Sequence, residues 1–429
     1  MSNWSNLNNL RDIRRYLLSS YGEEGDAEIY RTLAFLLVEE GHERLAATAY
    51  DRAYGLTPDD ATIAAERAAL LDQLAVVEHG LTFRYIPAGS FLMGASDAEA
   101  DPDERPIHVV ELGDYWLSDT SISWAAYCEL MDLTPPPFAD TKEDYARHAA
   151  RMQELIEKWS HGGSPRKQIR QEQTTKPTAK DSEIRETPRR AFSKSIMDRI
   201  RLSYCEDHTF HAQDWHVHIP DPGADGVPYS ISWSAGKISL RSFDRYPERD
   251  DQDAPWTYSQ KPMIAVGWAE AEELAARMSK HAQGASYRLP TEAEWEKAAR
   301  GGLIGRRYPW GDEEPTPDRC DFDRFEQFAI QPSRRFSPNG YGLYAMSGGV
   351  WEWTRDWYNA EYYAHSAAVN PTGPESGSEK VLRGGSWADC AEVLRVSFRS
   401  SYPADTDIEQ RDGMNGTANI GFRLCRVER

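Results

Sequence analysis

The 429 residues carry 69 acidic against 49 basic side chains, a net charge of −20, with 40% hydrophobic residues, 14 Trp and 21 Tyr. A balance this acidic excludes general phosphate-backbone binding, which needs a basic surface, so no nucleic-acid partner is expected. No stretch approaches the roughly 18 apolar residues of a membrane span, and the first residues lack an apolar signal core, so a soluble cytoplasmic protein with no membrane partner is expected.

Residues 1–79 read as helical, with Leu7, Leu10, Ile13 and Leu17 on one face, then Ile29, Leu33, Leu36 and Leu37, then Leu45, Ala49 and Ala53. The spacing of Leu33, Ala34, Gly41, Ala46, Tyr50, Ala53 and Pro58 is similar to a single tetratricopeptide repeat. One repeat builds no solenoid, so these helices either pack on the remainder of the chain or dock a partner. From residue 80 to 133, LTFRYIPAGSFLMG predicts two strands joined by a turn, and Ile107–Leu112 a third. Between them, Asp97, Glu99, Asp101, Asp103 and Glu104 read as a solvated acidic loop. Ser123 is placed to cap a helix that follows a strand at Tyr115.

Residues 134–261 read as an insertion. Tyr145 to Trp159 is expected to be helical, and 162–190 is polar and locally basic, a linker in composition. Beyond it, His208, His211, His216 and His218 fall within eleven residues, and WHVHI, VPYSISW and KISLRSF suggest a small β-rich part. Imidazoles with a nearby carboxylate or thiolate would suit zinc or iron. The main part, 262–429, begins with a strand and an amphipathic helix that turns Ala271, Leu274, Ala275 and Met278 inward. Thr291 and Glu294 form a capping box after Pro290. Glu292, Glu294 and Glu296 are read as capping and salt-bridging acids rather than catalytic ones. The five cysteines are odd in number and scattered without a CxxC pair, so no disulfide framework is legible.

IPAGSFLMG at 86–94, YRLPTEAEWEKAARGG at 287–302, YPWGDEEP at 308–315, PNGYGLYAMSGGVWEWTRDW at 338–357, RGGSW at 383–387 and GFR at 421–423 occur in an order that resembles the formylglycine-generating enzyme (sulfatase-modifying factor) family. The resemblance implies an irregular α+β, C-type-lectin-like fold with short strands, preceded here by helices. It also implies an oxygen-binding pocket lined by Ser386 and Trp351, and a copper site made by two cysteines just after RGGS. In that window Cys390 stands alone after Asp389, and the place of the second thiol falls at Leu394 or Arg395. One thiolate does not make the two-coordinate soft site that Cu(I) prefers.

The resemblance further implies calcium sites. Asp321 and Glu352 stand at ligand positions, while Arg334 stands where an acid is expected and is predicted to pair with Asp321 in place of the metal. The leading expectation is therefore a non-oxidase member that recognises a protein or peptide ligand, similar to diversified binding proteins of this fold. Its surface would comprise Trp387, Ala388, Asp389, Cys390, Glu392, Arg395, Arg399, Asp405, Asp407 and Asn415. The alternatives are a copper oxidase in which Cys390 acts with Cys425, and an iron oxygenase built on the histidine cluster.

Overall fold

The computed structural model describes residues 10–19, 25–95, 100–131, 215–219, 229–234, 237–242, 260–264, 266–323, 330–387, 389–404 and 419–429. The chain divides into two compact units, one of residues 1–135, 260–408 and 419–429, the other of residues 136–259 and 409–418.

In the first unit four helices come first: α1 (Leu10–Ser19), α2 (Ala27–Glu39), α3 (Glu43–Leu56) and α4 (Ala61–Gln73). Asp26 and Asp60 start α2 and α4 by accepting hydrogen bonds from backbone N–H groups that have no partner within the helix. Gly41, at φ +76°, makes the turn between α2 and α3. Tyr30, Ala34 and Leu37 of α2 pack against α3, where Ala46, Ala49 and Ala53 are small enough to let the helices approach.

These helices are fastened to the domain that follows. Arg67 of α4, only 2% exposed, donates to Asp51 at 2.6 Å and to the carbonyls of Gly301 (3.1 Å) and Gly340 (2.7 Å). Its guanidinium lies between the rings of Tyr54 and Tyr341, 4.4 and 4.6 Å from their centroids. Tyr341 returns a hydrogen bond to Asp51 at 2.9 Å, and the Trp116 indole donates to the Leu74 carbonyl at 2.8 Å.

A five-stranded antiparallel sheet holds, in order, β1 (Val76–Glu78), β2 (Leu81–Ile86), β5 (Tyr115–Ser118), β14 (Cys425–Glu428) and β9 (Ala285–Arg288). Beside it are the hairpin of β3 (Gly89–Met93) and β4 (His108–Leu112), and a four-stranded sheet ordered β12 (Ser400–Pro403), β11 (Glu379–Arg383), β10 (Trp351–Trp357) and β13 (Ile420–Gly421). β13 pairs parallel to β10, and four residues later the chain enters the other sheet as β14. Residues 420–428 therefore belong to both large sheets. Helices α5 (Trp124–Leu130), α6 (Trp268–His281) and α7 (Glu292–Arg300) complete the unit.

Ser123 caps α5 and the four expected core residues of α6 are buried. The strand expected at residue 262 is instead an isolated bridge between Ser123 and Pro262. The acidic stretch is corrected too: Asp101, Asp103 and Glu104 are buried, because Arg395 pairs with Glu104 and the Tyr358 hydroxyl donates to Asp103 at 2.9 Å. Asp97 and Glu99 lie outside the described residues.

In the second unit β6 (Trp215–Ile219), β7 (Tyr229–Ser234) and β8 (Lys237–Ser242) form an antiparallel sheet, with His216 opposite Ser232 and His218 opposite Ser230. The helix expected at 145–159, the linker at 162–190, His208 and His211 lie outside the described residues. Among the described residues no helix is long and apolar enough to cross a membrane.

Removing the Arg67 guanidinium would leave Asp51 and two buried carbonyls short of donors. Arg67→Ala is expected to cost about 3–5 kcal/mol and to lower the melting of the entire first unit in one transition. A helical segment melting alone, with the remainder unchanged, would show that the helices are independent.

Candidate functional site

The site is built outward from α7, whose nine residues are all buried. Thr291 and Glu294 form the capping box, with Glu294 N–H to Thr291 Oγ1 at 3.2 Å and Thr291 N–H to Glu294 Oε2 at 2.8 Å. Such a helix buries three carboxylates, and each has guanidinium partners. Arg399 grips Glu292 with two bonds of 2.6 and 2.9 Å, Arg288 grips Glu294 with two of 2.6 Å, and Glu296 takes Arg383 and Arg300. The Trp295 indole donates at 2.6 Å to Glu352 of β10.

RGGSW crosses this framework at the end of β11. Gly384, at φ +100°, sits against Trp295, where a Cβ would lie 3.1 Å from the ring. Gly385, at φ +71°, faces Leu394, where a Cβ would lie 2.5 Å from Cδ2. Only glycine fits both the dihedral and the space. The turn they allow brings Ser386 onto Asp389, whose Oδ2 accepts the Ser386 hydroxyl and, at 2.9 Å, its N–H. Asn419 donates to Ser386 Oγ at 2.9 Å, and its own carbonyl accepts the Trp351 N–H at 2.8 Å. Burial pushes the Asp389 carboxyl up to about 6, while hydrogen bonds from Ser386 and the Trp351 side chain oppose the rise. The hub of these hydrogen bonds is thus Asp389, which sequence reasoning placed on the binding surface without distinguishing it. Its separation of three residues from Ser386, after two glycines, is the signal that could have found it.

The residues present do not fit a two-thiolate copper site. Burial, with Glu392 adjacent, pushes the Cys390 thiol up to about 12, far from thiolate at neutral pH. Leu394 is buried, and Arg395 is engaged by Glu104 and by the Glu392 carbonyl at 2.7 Å. Cys425 stands in β14 between β5 and β9, and its thiol is also pushed up by burial. Cys390, in the turn after β11, and Cys425 are both free.

Glu352, expected at a calcium position, is occupied otherwise. Both oxygens receive Arg423, at 2.6 and 2.8 Å, and Ser121 donates to Oε1 at 2.7 Å. With the Trp295 indole this donor set is cationic and complete, so Ca2+ does not fit there. Arg334 is drawn to Asp119 rather than Asp321, correcting the predicted pair. Asp321 Oδ2 accepts the Gln331 N–H at 2.8 Å. Among the described residues, no group of three or more His, Cys, Asp or Glu is placed to hold a metal.

The expected binding surface is also redrawn. Trp387, Arg395 and Arg399 are buried: the first in a core cluster with Ile264, Ile330 and Val350, the other two in ion pairs. Asp389, Cys390 and Glu392 are partly exposed. Ala388, Asp405, Asp407 and Asn415 lie outside the described residues.

Residues 82–427 match the family described as the sulfatase-modifying factor enzyme 1-like domain. The formylglycine-generating enzyme of Streptomyces coelicolor is 41% identical over 228 residues, which cover 49% of this chain and 67% of that protein. The inactive C-alpha-formylglycine-generating enzyme 2 of Bos taurus is 37% identical over 180 residues, 38% of this chain and 50% of that one. Among solved structures, PvdO from Pseudomonas aeruginosa matches with a TM-score of 0.47 at 18% identity, covering 83% of this chain and 98% of that chain.

Two outcomes are expected at this site. Glu352→Gln should lower the melting temperature by the same amount in calcium and in EGTA; a loss confined to calcium-containing buffer would restore Glu352 as a ligand. Asp389 has a folded pKa of about 6 against an ordinary 3.8, so its favourable contribution is complete below the unfolded pKa and is lost as pH rises through about 6. Ionised, it costs less than about 3 kcal/mol, since solvent still reaches it. Asp389→Asn should therefore gain stability relative to the parent between pH 5 and pH 8 in denaturant titrations, and a constant difference would contradict the shift.

Proposed function

The chain belongs to the sulfatase-modifying factor enzyme 1-like family, and from that premise we propose that it is a non-oxidase member that recognises a protein or peptide ligand through the surface around Asp389. The observation that carries this reading is the carboxylate folded back onto Ser386. Asp389, rather than a thiol, faces Ser386 and Trp351. Cys390 is held as a thiol, and the positions for a second one belong to a core leucine and an ion-paired arginine. A hard, protonatable oxygen donor does not serve Cu(I), whereas it can accept hydrogen bonds from a ligand.

The relatives are named both as enzyme and as inactive enzyme, so membership alone is compatible with either activity. What favours recognition is the rigidity of the floor. Buried ion pairs and close-packed glycines hold Ser386 and Asp389 in one geometry, which lowers the ordering cost of binding. The segment Asp389 to Glu392 is then the partly exposed edge of a fixed platform.

The reading is tested by anaerobic Cu(I) titration against a chromophoric chelator, with elemental analysis of protein purified without a metal-binding tag. The expected result is no stoichiometric copper, in the parent and in Cys390→Ala alike. Stoichiometric copper that disappears in Cys390→Ala would overturn the proposal in favour of a copper-dependent oxidase. Stoichiometric iron that disappears in a His216→Ala, His218→Ala double variant would overturn it in favour of an oxygenase.

A further inference from the structure

We propose that a groove between α1, the start of α3 and the β2–β3 turn docks an acidic amphipathic segment of a partner protein, at a place separate from Asp389. The groove has a volume of about 620 Å³, within the usual span of binding sites, about 300–1,000 Å³. Its apolar surface comes from Leu10, Leu18 and Leu45, and Leu10 is 45% exposed. Arg11, Arg14 and Arg44 line it as well.

The sign of the charge points to the occupant. The whole chain has 69 acids to 49 bases, yet this groove presents three guanidiniums against two carboxylates, Glu43 and Asp114. Asp114 is already committed: it accepts the Tyr85 hydroxyl at 3.0 Å and lies 3.5 Å from Arg44. Arg44 is engaged by Glu428 at 2.5 Å and lies over the Trp116 ring. Arg11 and Arg14 are exposed and form no ion pair among the described residues. Two unengaged guanidiniums beside an apolar strip, on a strongly acidic protein, favour a ligand with carboxylates flanking leucine-like side chains. A helix carrying apolar residues three and four apart with acids between them supplies that pattern. The walls are firm, because Ser90 of β3 donates to the Leu18 carbonyl at 2.5 Å and Lys297 donates to the Pro87 and Gly89 carbonyls at 2.5 and 3.0 Å.

The test uses the full chain and two fluorescein-labelled peptides with leucines at the same helical spacing, one with glutamates and one with lysines between them. Fluorescence anisotropy is expected to give at least about tenfold tighter binding of the glutamate peptide, weakening as salt rises. Arg11→Glu with Arg14→Glu is expected to abolish the preference without changing the melting temperature, because both side chains are exposed. Equal binding of the two peptides, no binding of either, or binding only to phosphatidylserine vesicles would overturn the proposal. If the double charge reversal melts early, Arg11→Gln with Arg14→Gln replaces it, and an unchanged preference in that variant also overturns the proposal.

Discussion

The structure depends on pairing buried carboxylates with arginines that are themselves buried or half-buried. Helix α7 carries Glu292, Glu294 and Glu296 into the interior, where an unpaired carboxylate would be prohibitive. Arg399, Arg288, Arg383 and Arg300 meet them, and Arg423 meets Glu352. Arg383 and Arg399 stand on either side of the turn that carries Ser386 and Asp389, so neutralising the helix and holding that turn are coupled. Planar guanidiniums suit this task because each makes several directed bonds at once, as Arg399 does with Glu292 and with the carbonyls of Asp103 and Asn359. The same satisfaction leaves no spare oxygen on Glu352 for a cation. Burying more charge has made the core less able to hold a metal.

Local patterns were legible in the sequence. The capping box at Thr291, the cap at Ser123, the inward face of α6 and the glycine pair of RGGSW each depend on residues within a few positions of one another. The family and its irregular α+β architecture followed from segments of that kind. Partnerships across the chain were not legible. Nothing in the neighbourhood of Arg395 or Arg399 says that their partners are Glu104 and Glu292, so both read as surface residues, as charged side chains usually are. The acidic stretch around Asp103 reads as solvated for the same reason, since its partners Arg395 and Tyr358 lie far away in sequence. Arg334 has Asp321 near it in sequence, whereas Asp119, distant in sequence, receives it. Asp389 was visible as a residue but not as a centre, because its role depends on the turn that folds it back onto Ser386.

The N-terminal helices show how a repeat-like pattern is used without a repeat array. Ala46, Ala49 and Ala53 permit close helix packing as they would in a solenoid, but the face that a neighbouring repeat would cover is fastened to the domain through Arg67 and Trp116. The helices thereby add a second side to the molecule, with its own groove, without adding an independent folding unit.

The short segment shared by the two large sheets has a consequence for synthesis. β13 and β14 lie within residues 420–428, yet their neighbours β10, β5 and β9 are all made earlier. Until the ribosome has delivered that segment, β5 and β9 have no strand between them, and Glu352 lacks Arg423. The nascent chain therefore leaves β9 unpaired with β14 over the whole stretch between Arg288 and Cys425, and Glu352 without its guanidinium over the stretch that ends at Arg423. Pairing over such long sequence separations forms slowly and leaves strand edges exposed until it closes.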